Sequence, residues 1–225
     1  MAFSAQNQPA VPSPRTFPRW LRIFFWICLV IAVAAVIRRA VTLLTPPSSS
    51  APPQLARLDN WFASHAALTW THILCALVFV LLLPFLFWTR TSSSAVLKRI
   101  FFPLGLIVAA TAYAMSINAV GGWFERSAVL FYDTLFLASL AAAWLFNRRD
   151  NLAHSQRWTL RAVAILLGIA TTRPVMGVFF VTARFTHLTP HQFFGIAFWI
   201  GFSINAIAIE LWLQTHKLPA ERTAL

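Results

Sequence analysis

Acidic residues are scarce: the 225-residue chain has six Asp and Glu against 18 Lys and Arg. Charge of either sign makes up 11% of the chain, where a soluble domain carries about 25%. So little charge cannot cover a surface that faces water, which excludes a soluble enzyme. Cysteine is reduced to Cys28 and Cys75, both inside apolar runs. That is neither a disulfide framework nor a metal-binding spacing, and both read as small apolar fillers. No nucleotide-binding loop, Ser/His/Asp arrangement or HExxH motif appears, which leans away from an enzyme.

Apolar sequence fills the space left. Hydrophobic residues are 59% of the chain, and the mean hydropathy is +0.69. A net charge of +12 does not make a nucleic-acid binder, because the basic residues sit in short clusters between apolar runs. That is the positive-inside pattern of a membrane protein. A membrane-spanning helix needs roughly 20 mostly apolar residues. Six runs qualify: Trp20 to Ile37, Ala66 to Trp88, Ile100 to Ala119, Ser127 to Phe146, Ala162 to Ala183 and Gln192 to Leu213. Trp20, Trp61, Trp88, Trp123, Trp144, Trp158 and Trp212 mark their ends, where an amphipathic indole sits best. The expected fold is therefore an all-α integral membrane bundle of six transmembrane helices.

Twelve Lys and Arg fall on the side of the two termini and five on the other, with Arg173 inside a span. Both ends are therefore expected in the cytoplasm. The first run has a basic front and an Ala32-Val33-Ala34 sequence resembling a cleavage site, but it continues to Ile37 and reads as an uncleaved anchor. Residues 1–19 are Pro/Ser/Gln-rich and read as a disordered tail; 20–213 form the membrane domain, with an external linker at 45–57. Residues 214–225 form a second cytoplasmic tail. The stretch Asn147 to Arg161 reads as a cytoplasmic loop whose four arginines meet anionic lipid.

Ionisable groups within a span are costly and mark candidate sites. Counted from the ends of the runs, His72 and Asp133 lie about 9 Å deep from the external face, and Arg173 about 15 Å. Tyr113 and Asn118 close the third span on that side. His72, Asn118, Asp133 and Arg173 are thus candidate ligand-binding residues in the outer half of the bilayer, on four helices. A buried arginine needs a carboxylate, and Asp133 is the expected partner of Arg173. Such a pair either locks two helices together or lines a pocket for a substrate, a proton or a lipid head group. Pro174 disfavours helix at Arg173 and deprives the Ala170 carbonyl of its partner. Glu210 is expected to pair with Arg157 or Arg161, and Asn205 to bond a neighbouring helix.

A bis-histidine haem needs two imidazoles at similar depth on facing helices. His72 and His191 are the nearest pair, mismatched by roughly 9 Å. No cofactor is expected; a single haem b on His72 and His191, or a metal bound there, is the alternative. His187 and His191 are four apart, but Thr189-Pro190 reads as a helix start between them.

Several features together resemble a known family. His72 opens a span ending in LLLPFLF, and Gly121-Gly122 follows in an external loop. Asp150 to Arg161 (DNLAHSQRWTLR) then leads to Thr172-Arg173, and Trp199 to Glu210 encloses Asn205. Over about residues 61–213 this is similar to the bacterial predicted-membrane-protein family known as domain of unknown function 2306. The resemblance carries over His72, His154, Arg157, Trp158, Arg161, Arg173, Asn205 and Glu210. His154, Arg157, Trp158, Arg161 and Glu210 make up its cytoplasmic-face motif. Members often carry a His-Arg pair before the third span; here it is Lys98-Arg99, so a second histidine ligand is missing there. The resemblance implies topology and a residue list, not a reaction. Three functions stand: a small polar ligand or proton bound or moved at the outer-leaflet pocket, a single-haem redox protein, or a structural or assembly protein.

Overall fold

The computed structural model describes residues 17–45, 53–88 and 95–216. Among them seven helices follow one another: α1 (Arg19–Leu44), α2 (Pro53–Ser64), α3 (Ala66–Trp88), α4 (Ala95–Met115), α5 (Gly122–Arg148), α6 (Leu152–Thr186) and α7 (Pro190–Thr215). A short 3₁₀ turn, Ser116–Asn118, follows α4. The described residues contain no strand. All but α2 are long and apolar enough to cross a membrane, so the chain is a multi-pass membrane protein. Hydrocarbon offers the backbone no hydrogen bonds, and a helix satisfies each peptide group within itself. Side chains on the outside are correspondingly apolar: Leu44, Val181 and Phe185 are 75%, 77% and 84% exposed.

The helices extend beyond the apolar runs. α6 has 35 residues, about 52 Å, against roughly 30 Å of hydrocarbon. Its first three turns take up most of the stretch expected to be a cytoplasmic loop; only residues 149–151 separate α5 from α6. Asn151 starts α6 by accepting the His154 N–H, which stabilises the first turn. His187 ends it in a left-handed conformation, φ 53°. Thr189 and Gln192 form a reciprocal cap on α7 with Pro190 in its first turn. His187 and His191 therefore belong to the ends of two different helices. The linker residues 46–52 lie outside the described residues, and 53–57 open α2. The tails 1–16 and 217–225 are also outside them.

α6 is the hub, packed against α7, α5 and α1, while α4 joins α3 to α5. Small residues set the closeness of these seams. A Cβ on Gly201 would stand 2.7 Å from the Thr172 amide, and one on Gly168 2.5 Å from the Phe202 ring. Glycine thus lets α6 and α7 touch backbone to backbone, the usual means of association without a hydrophobic driving force. On the other side Phe79 stacks on Phe101 at 4.7 Å and meets Phe136 edge-on at 6.1 Å, joining α3, α4 and α5. Trp212 departs from the expected interfacial belt. It is 4% exposed, and its ring packs on Phe17 at 4.7 Å.

Candidate functional site

The two ends of the bundle differ. At the end that carries Arg19 and Thr215, Lys98, Arg157 and Arg161 are occupied. Arg161 grips Glu210 with two prongs, Nε to Oε2 at 2.9 Å and Nη2 to Oε1 at 3.0 Å. Its guanidinium also lies 4.6 Å above the Trp158 ring. Arg157, 5% exposed, donates to the Leu213 and His216 carbonyls at 3.1 and 2.8 Å. These are carbonyls that the end of α7 leaves without helical partners. His154 meets Asn151 Oδ1 at 3.0 Å and packs on Phe146. Lys98 donates to Asn147 at 2.8 Å. This set clamps α6 to α7 and α4 to α5. Of the two expected partners of Glu210, Arg161 is the one bonded to it. Asn205 also behaves as expected, accepting from Thr171 at 2.6 Å and donating to the Ala164 carbonyl at 3.1 Å, both on α6.

The opposite end, near α2, is placed by a register contact at the first end. Ser155 on α6 donates to the Ala143 carbonyl on α5 at 2.9 Å. Moving eighteen residues along each of these antiparallel helices leads from Ser155 to Arg173 and from Ala143 back to Glu125. Eighteen residues are five full turns, so both moves return to the same face. Arg173 therefore faces Glu125, which is 8% exposed and accepts the Gly121 N–H at 2.6 Å. Arg173 feels the charges of Glu125, Arg38 and Arg39. It is exposed and has no hydrogen bond or ion pair among the described residues.

The expected Arg173–Asp133 pair is absent. Asp133 is two turns further along α5 than Glu125, about 12 Å deeper, and level with Ile165. Counting depth from the ends of the apolar runs failed because α6 overshoots: residue 176 is level with Gly122, where α5 starts, and α6 runs ten residues further. Asp133 Oδ2 is instead buried with no hydrogen-bond partner among the described residues. His72 Nδ1 meets Thr111 Oγ1 at 2.8 Å, and Tyr113 meets Thr134 at 2.5 Å. These contacts place His72 and Asp133 within about one turn of each other in level, as expected. Asn118 is exposed in the 3₁₀ turn. No hydrogen bond or ion pair joins any two of His72, Asn118, Asp133 and Arg173 among the described residues.

His191 does not come near His72 in level: it covers the start of α5, where a Cβ on Gly122 would be 2.8 Å from its Nε2. Among the described residues no group of three His, Cys, Asp or Glu side chains is placed to hold a metal ion. The cysteines are free, with Cys28 Sγ 3.6 Å from Thr171 Oγ1.

No family model, no curated protein and no solved structure matches the chain. The site therefore has to be read from its own residues. Sequence reasoning overlooked Glu125, a carboxylate in the first turn of α5 that looks like an ordinary helix-start acid. Its 18-residue spacing from Ala143, equal to that of Ser155 and Arg173, carries meaning only once the Ser155 contact is known.

Proposed function

We propose that this chain binds a small polar ligand in the outer half of a six-helix bundle in a bacterial inner membrane, with both termini in the cytoplasm. The observation that carries this reading is Arg173: a charge within a span, exposed, facing Glu125 and bonded to nothing described. A charge within a span is costly, and with no ion pair to Arg173 among the described residues a ligand accounts best for it. The clamp at the opposite end gives the likeness to domain of unknown function 2306 a scaffold role at Arg157, Arg161 and Glu210. The orientation rests on the twelve-to-five distribution of Lys and Arg.

Gly177 provides the test. It is one turn beyond Arg173 on the same face, and a side chain there meets nothing within 4 Å. With Cys28 and Cys75 replaced by Ala, Gly177→Cys should react with a membrane-impermeant maleimide added outside spheroplasts. A reporter fused after Leu225 that works only in the periplasm should stay silent. An unreactive Gly177→Cys overturns the open outer site, and an active reporter overturns the orientation.

A further inference from the structure

The α2 end holds more positive charge than its own groups can neutralise. The described cations there are Arg38, Arg39, Arg126, Arg173 and Arg184, and the carboxylates are Asp59 and Glu125. Of these cations only Arg39 is ion-paired among the described residues: it reaches Asp59 and covers the Phe62 ring at 4.2 Å. Arg126 has a buried Nε with no hydrogen-bond partner, and its guanidinium lies 5.4 Å from the Trp123 ring. Arg38, Arg173 and Arg184 have no hydrogen bond or ion pair among the described residues. At the other end Arg157, Arg161 and Lys98 all have acceptors.

Their placement follows from the helix geometry. Arg173, Gly177 and Arg184 share a face of α6, since four and eleven residues are close to one and three turns. Beyond residue 176 that face has lost α5, which begins at Gly122, so roughly 15 Å of α6 stands clear of it. α1 runs beside α6 on the Thr171 side, and its Arg38 and Arg39 act on Arg173. The Cys28–Thr171 contact between these parallel helices sets Arg38 level with residue 181, between Arg173 and Arg184. Guanidinium groups from two neighbouring helices beside a single buried carboxylate repel cations and draw in anions. Guanidinium forks match the paired oxygens of a phosphate better than they match a point charge.

We infer that the outer recess between α1 and α6 binds a phosphate-type anion through Arg173 and Arg38, with Arg184 at its mouth. This deepens the ligand site proposed above and rests on it. A free phosphate compound entering from water and the head group of an anionic lipid share this chemistry. Glu125 sets the limit of the recess: its carboxylate is held by the Gly121 amide rather than by Arg173, which leaves the guanidinium available.

The experiment uses the full chain in phosphatidylcholine vesicles, with Cys28→Ala, Cys75→Ala and Gly177→Cys. The reporter cysteine is treated separately with an anionic sulfonate and a cationic trimethylammonium methanethiosulfonate, each rate being divided by that for free cysteine. The anionic reagent is expected to be favoured about tenfold, and Arg173→Gln or Arg38→Gln should reduce that ratio at least threefold. Arg173→Lys should keep most of it, which separates lost charge from lost folding. Inorganic phosphate should slow the anionic reagent if the ligand comes from water. Phosphatidylglycerol in the vesicles should do so without added phosphate if it is a head group. Equal ratios for the two reagents, or no protection by either phosphate or phosphatidylglycerol, overturn the anion site while leaving an open recess. Failure of both reagents to react removes the recess itself, and with it the proposed function.

Discussion

Arg173 and Glu125 face one another across the α5–α6 seam without closing an ion pair. Five turns separate each from the Ser155–Ala143 contact that sets the register. Glu125 accepts from the Gly121 amide instead. Their coupling should therefore be real but weak. In a double-mutant cycle of Arg173→Gln with Glu125→Gln, thermal unfolding in detergent is expected to give about 0.5–1 kcal/mol of interaction. The same cycle with Asp133→Asn should be additive, because Asp133 is about 12 Å deeper. Appreciable coupling between Arg173 and Asp133 contradicts the register that the Ser155–Ala143 contact sets.

Asp133 makes a second, opposite prediction. Removing one member of a buried pair normally strands its partner and destabilises the fold. Asp133 has no partner to strand among the described residues, and its Oδ2 is buried unsatisfied. Asp133→Leu should consequently raise stability, by about 1 kcal/mol, seen as a higher melting temperature in detergent. A clear decrease would reveal a partner at this carboxyl.

Glycines on α6 and α7 should respond in opposite directions to the same change. Gly201→Ala forces a methyl group to within 2.7 Å of both the Thr172 amide and its side-chain methyl, so backbone must give way. A loss of about 1–3 kcal/mol is expected from overpacking. Gly177→Ala meets nothing within 4 Å and should gain up to about 1 kcal/mol from helix propensity. Melting curves of the two variants side by side check both directions, and equal shifts would contradict the close approach at Gly201.

Asn205 joins α7 to α6 through Thr171 and the Ala164 carbonyl. Polar contacts between membrane helices average about 0.6 kcal/mol and reach about 1.7. Asn205→Leu should cost about 1 kcal/mol in detergent unfolding, and Thr171→Val less, since Asn205 keeps its bond to Ala164. Equal losses would mean that the carbonyl contact contributes nothing.

The Arg161–Glu210 pair should matter less than its two-pronged geometry suggests. The Glu210 side chain is 43% exposed, so water and salt screen the charges. Glu210→Gln is expected to cost less than about 1 kcal/mol, decreasing further as salt is added. A loss that does not change with salt would place the pair in a drier setting than its exposure indicates.

Much of the architecture was legible in the amino-acid order. Six long apolar runs with few acids can only be helices in hydrocarbon, because no other open structure there satisfies the backbone. Thr189-Pro190 announced the start of α7, and Asn205 and Glu210 showed which helices would bond, since a polar group within a span must find an acceptor nearby. These features depend on local geometry and on composition, which sequence carries directly. The lengths of α5 and α6 beyond their apolar cores were not legible, because polar residues such as Arg157 and Glu125 are as compatible with helix as with loop. Nor was the axial offset between neighbouring helices. That offset comes from side-chain packing at points such as Ser155 on Ala143 and Gly201 on Thr172. A slide of five residues changes depth by roughly 8 Å and exchanges every polar neighbour. Sequence therefore determined that Arg173 is a charge within a membrane span. Only the tertiary structure decided that it looks past Asp133 and faces Glu125.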